Sequence, residues 1–83
     1  MNAASDDLVA LLIEVAADVF SVPATTLSAD STPESVEAWD SISHLNLMLA
    51  VEQAAGVRIE PERMAELTSL TKIAEAVRKL QTR

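Results

Sequence analysis

No cysteine occurs in the 83 residues. Disulfides, thiolate metal sites and a cysteine nucleophile are excluded together, so any thiol chemistry has to arrive with a cofactor. Aromatic side chains are almost as scarce, with Phe20 and Trp39 the only two. The core must therefore be built from Leu, Val, Ile, Ala and Met, a set that favours helices. Long hydrophobic runs are missing too: the longest, Leu8 to Ile13, is far shorter than a membrane span. The opening residues Met1 to Asp7 carry no basic region, and the expectation is a soluble, cytoplasmic protein. A chain of this length makes one domain, residues 1–83, and buries only about 60% of its unfolded surface. A deep enclosed active site is disfavoured, and with it an autonomous enzyme.

Positive charge is absent from the first two thirds of the chain. Every Lys and Arg lies at or beyond position 58, so residues 1–57 carry a net charge of −9 and residues 58–83 a net charge of +2. Such a surface repels nucleic acid and anionic lipid, and attracts proteins with basic docking patches. It also serves plain solubility.

What is present reads as helices. Ser5 is a suitable N-cap, with Asp6 and Asp7 in the following turn, and Leu8, Leu11, Leu12, Val15 and Val19 recur at helical spacing up to about Phe20. Asp7, Glu14 and Asp18 share the opposite, solvated face. Residues 21–40 have no sustained period and contain Pro23 and Pro33, which predicts a long loop; loops of this length are functional or hide a short turn of helix. Val22, Leu27, Val36 and Trp39 are its anchors to the body.

A second helix is expected over Ser41 to Ala55, ended by Gly56 as C-terminal cap. One of its faces groups Leu47, Met48, Val51, Ala54 and Ala55; another groups Ile42, Leu45 and Leu49. The first suffices for a small core. The second is either covered by neighbouring helices or an exposed strip that docks partners. A brief helix from Pro61 to about Glu66 and a last helix opened by Thr68 or Ser69 follow. The last carries the stripe Leu70, Ile73, Val77, Leu80, an i, i+4 pair of Glu75 with Lys79, and terminal Lys79 and Arg83 that complement its dipole. The fold class predicted is all-α: a small four-helix bundle of three main helices and one short one.

The informative stretch is Trp39-Asp40-Ser41-Ile42-Ser43-His44-Leu45, where the loop meets the second helix. At a helix start, unpartnered N–H groups and the positive dipole end favour a phosphate ester on Ser41, although Asp40 or Ser41 also serves as an ordinary cap. Asp40, Ser41 and His44 are the residue types of a hydrolase triad, but one helical turn does not line them up as acid, base and nucleophile. His44 without a second His or a Cys is a poor metal site. No catalytic residue and no metal ligand is assigned; His44 flanks the site or packs on the loop.

These residues resemble the acyl carrier proteins, the family that includes the aminoacyl and peptidyl carriers. The likeness covers nearly the whole chain: an acidic domain of this length, a long Pro-containing first loop, an Asp-Ser-Leu motif seen here as Asp40-Ser41-Ile42, the spacing to Gly56, and Leu67-Thr68-Ser69-Leu70 leading into a helix. The resemblance implies 4'-phosphopantetheine, taken from coenzyme A and attached to the Ser41 hydroxyl by a phosphopantetheinyl transferase, with Asp40 supporting that modification. It implies a stand-alone, monomeric carrier of an acyl or aminoacyl thioester. An activating ligase would load it, and acyl-accepting enzymes would dock on Ile42, Leu45 and Leu49 with the acids Glu37 and Glu52. Ser43, Asn46 and Gln53 stand where fatty acid carriers are often acidic, and Trp39 and His44 resemble the discrete carriers of specialised pathways. An unmodified interaction module using the Ile42, Leu45, Leu49 strip is the alternative.

Overall fold

Helical periodicity becomes four helices in the computed structural model, which describes residues 3–81: α1 (Ala3–Phe20), α2 (Ser41–Ala55), α3 (Pro61–Met64) and α4 (Leu70–Gln81). There is no strand among the described residues, and the architecture is a small helical bundle. No described helix is long and apolar enough to cross a membrane.

α1 starts earlier than its expected cap. Ser5 lies within the helix, because Ala3 and Ala4, the best helix formers, carry it two residues further back; Asp7 is accordingly beyond the first turn. The buried line along α1 is Leu8, Leu12, Ala16 and Phe20, four residues apart each time. Leu11, expected in the core, is exposed, and Val15 and Val19 are only half-buried. The reason is that α1 packs against both α2 and α4, and the small side chain of Ala16, fully buried, lets a neighbour approach closely where a branched residue would hold it off. Asp7, Glu14 and Asp18 are exposed as expected.

α2 buries Leu47, Met48 and Val51. Ala54 was placed on the same face but is exposed, since α2 is near its end there and Gly56 turns the chain away. Gly56 has φ +68°, and its N–H and that of Val57 both donate to the Glu52 carbonyl, at 2.9 and 3.2 Å. The Glu52 carboxylate also accepts the Ile59 N–H at 2.7 Å, so one residue arranges the exit of α2. α3 stops at Met64 rather than Glu66: Glu66 and Leu67 donate to carbonyls three residues back, at 3.0 and 3.2 Å, which tightens the chain out of the α-helical pattern. α4 buries Leu70, Ile73, Ala74 and Val77, and Ser69 caps it by accepting the Lys72 N–H at 3.1 Å. Arg83, expected to complement the dipole of α4, lies outside the described residues.

The loop is held rather than free. A single 3₁₀ turn occupies Ala24–Thr26; Leu27 and Trp39 are buried, while Val22 and Val36 pack half-buried against the core. Ser31 is buried with its hydroxyl accepting the Ser28 N–H at 2.9 Å, and the N–H of Thr32 donates to the Ser35 hydroxyl at 2.9 Å. Thr71 donates both its N–H and its hydroxyl to the Ala29 carbonyl, at 3.0 and 2.9 Å, fastening the loop to the start of α4.

Candidate functional site

The loop delivers the chain to α2 through Asp40, whose backbone is extended (φ −96°, ψ −174°) while its carbonyl already accepts the first intrahelical bond, from His44 N–H at 2.8 Å. Its carboxylate accepts the Ser43 N–H at 2.8 Å. Asp40 is therefore the cap, and Ser41, the first helical residue, is released from that task. The Ser43 N–H, followed by the Ser43 hydroxyl, holds the Asp40 carboxyl below its ordinary value of 3.8, so a fixed negative charge stands beside Ser41.

Hydroxyl use separates the serines. Between positions 21 and 69, the side chains of Ser28, Ser31, Ser35 and Ser69 are engaged in turns and a cap, and Ser43 bonds Asp40. The hydroxyls of Ser21 and Ser41 alone have no partner among the described residues, and both residues are exposed. They sit at opposite electrostatic poles. Ser21 closes the C-terminal end of α1, where orphan carbonyls make the field negative, and Ser41 opens α2, where orphan N–H groups make it positive.

Beside Ser41 the apolar strip is open: Ile42 is 74% exposed, Leu45 53% and Leu49 46%. No described residue covers it. Glu37 is exposed on the loop, whereas Glu52 is half-buried with its carboxylate bound to Ile59 N–H; the two acids expected to act alike are thus in different states.

His44 is bridged on both ring nitrogens. Nδ1 accepts the Trp39 indole N–H at 2.9 Å, and Nε2 lies 2.7 Å from the carbonyl oxygen of Met64. Neither nitrogen is left to take a proton from Ser41, which removes the hydrolase arrangement on geometric grounds. Among the described residues no group of three His, Asp or Glu side chains gathers as a metal site. The Trp39–His44 pair, the bond to Met64 and the Glu52–Ile59 bond were not read from sequence. A buried tryptophan does signal that its N–H requires an acceptor, but nothing in the letters identifies which.

Residues 10–77 match the family model described as the phosphopantetheine attachment site. The chain belongs to this family. Its members hold 4'-phosphopantetheine as a prosthetic group and act as carriers rather than enzymes, exchanging cargo with the enzymes that modify and use them. In this carrier the matched region takes in α2, the whole loop before it and all but the last turn of α4. No curated protein matches the chain.

Proposed function

We propose that Ser41 is the residue that carries 4'-phosphopantetheine, and that the chain presents an acyl or aminoacyl thioester on it to partner enzymes. The observation that carries this choice is the serine comparison: of the two unengaged, exposed serine hydroxyls between positions 21 and 69, only that of Ser41 stands at a helix N-terminus, where a phosphodiester is favoured. The residues fit the group, since Ser41 offers a free nucleophilic oxygen and no described side chain closes over it. Loading would join Ser41 Oγ to the phosphorus that bears pantetheine as the pyrophosphate bond of coenzyme A breaks, with adenosine 3',5'-bisphosphate leaving and the hydroxyl proton passing to a base of the transferase. Asp40, fixed by Ser43 and ionised, offers a negative charge to the cationic side of a transferase site. When bound, the cofactor supplies the thiol that this cysteine-free chain lacks.

Ile42, Leu45 and Leu49 form the docking strip, with Glu37 and Glu52 at its acidic margin; the exposure of the three apolar residues supports it. After Asp40, α2 holds a single acid, Glu52, which favours a carrier of a specialised pathway over one serving general fatty acid synthesis. The setting is a cytoplasmic monomer, passed from transferase to activating ligase to acyl-accepting enzymes.

Intact mass measured after incubation with coenzyme A, magnesium and a broad-specificity phosphopantetheinyl transferase tests the assignment. One phosphopantetheine is expected on the parent and on Ser21→Ala, and none on Ser41→Ala. Loading of Ser41→Ala would place the ester elsewhere. A folded parent left unmodified beside a control carrier that is modified would leave the chain as an interaction module using the same strip.

A further inference from the structure

Three elements meet at one imidazole. His44 closes the first turn of α2, the turn that Ser41 opens. An indole N–H only donates and a peptide carbonyl only accepts, so its two partners require a neutral ring with the proton on Nε2. The Trp39 and His44 rings stack at 6.0 Å and 24°, and Trp39 meets Phe20, the last residue of α1, at 5.3 Å. On the other side Met64 is the final residue of α3, a four-residue helix with no buried side chain of its own. A helix that short has no independent stability. It is held by the buried residues Ile59 and Leu67 flanking it, by the half-buried Met64 side chain against the core, and by two bonds to its terminal carbonyl, from His44 at 2.7 Å and from the Leu67 N–H at 3.2 Å.

We propose that His44 is a positioning residue for the modification of Ser41: by grasping Trp39 and the end of α3, it sets both against the turn that carries the serine and so shapes the surface the transferase meets. The role rests on the assignment of Ser41 above. His44 touches no reacting atom, and its loss should weaken recognition more than chemistry.

The experiment compares the parent with His44→Phe, which keeps a ring without nitrogens, His44→Gln, whose amide reaches toward the Met64 carbonyl, and His44→Asn, which is too short to do so. Transferase kinetics with each carrier as variable substrate are read beside ¹⁵N spectra. The parent imidazole is expected in the Nε2–H form. In His44→Phe the Ala65 amide, on the peptide whose carbonyl loses the imidazole and keeps only the Leu67 N–H, shifts, and KM rises about tenfold with kcat within about twofold. His44→Gln returns KM toward the parent and His44→Asn does not. An Nδ1–H ring, an unmoved Ala65 amide, or a folded His44→Phe loaded with parental KM each overturns the proposal. If His44→Phe does not fold, equal KM for the Gln and Asn variants overturns it. A parent that is not loaded at all overturns the assignment of Ser41 and this role with it, whereas a loaded parent beside an indifferent variant overturns this role alone.

Discussion

The Trp39 indole N–H and His44 Nδ1 are joined at 2.9 Å, so the last buried residue of the loop and the first turn of α2 form a single polar and aromatic contact. Trp39→Phe removes the donor and leaves a gap in the core where only 2% of the tryptophan surface reached solvent. A loss of about 2–4 kcal/mol of unfolding free energy is expected, measured by urea denaturation followed by circular dichroism.

Asp40 gives the cap a pH dependence of definite sign. Its folded value lies below the ordinary 3.8, so its stabilising effect is complete above that pH and disappears as the pH falls through the lower, folded value. Asp40→Asn keeps an acceptor for Ser43 N–H without a charge. Stability measured between neutral pH and strong acid should retain the cap in this variant and lose the component of acid sensitivity due to Asp40; an identical acid profile would contradict the assignment.

Two positions on different faces of α2 should separate docking from folding. Ile42 is 74% exposed and Leu47 fully buried. Ile42→Ser is expected to change stability by no more than about 0.5 kcal/mol, and Leu47→Ala to cost about 2–5 kcal/mol. If the open strip is the docking surface, Ile42→Ser weakens transferase binding while thermal unfolding stays at the parental temperature.

The two helix exits make predictions of opposite sign. Ser21 and Gly56 both have positive φ, +56° and +68°, and Val22 N–H to Ala17 carbonyl at 3.0 Å with Ser21 N–H to Asp18 carbonyl at 3.3 Å closes α1 around the strained serine. Ser21→Gly should stabilise by roughly 0.5–1 kcal/mol, relieving the left-handed backbone. Gly56→Ala should destabilise by about 1 kcal/mol; nothing lies within 4 Å of the added methyl, so the cost is in the backbone alone. Thermal unfolding of the two variants measures both.

The helices were legible because their signals are local: Ser41 to Ala55 follows from a cap, a period and a glycine, and α2 has those bounds. The open strip was legible as a second stripe, though not as exposed, because exposure depends on where α1 and α4 come to rest. Leu11 and Ala54 were misplaced for the same reason: a wheel assigns a direction, whereas burial needs a neighbour. Ser41 stood out only as a helix start followed by a motif. That the other serines between 21 and 69, apart from Ser21, are already engaged depends on the turns of the loop, whose bonds are set by backbone angles. The bridge from His44 to Met64 spans twenty positions and has no periodic trace.

The two hydrogen bonds from Thr71 to the Ala29 carbonyl join residues 42 positions apart, and they set a long closure beside the short ones in the loop. The turns at Ser28–Ser31 and Thr32–Ser35 close over three residues and can form while the chain is still open. The clasp at Ala29 closes a far longer segment and so costs more chain entropy than those turns, which the packing of α4 on α1 helps to offset. The last helix thus shares in holding the loop with the two helices that it connects, and a partner that grips the loop also pulls on the opening turn of α4.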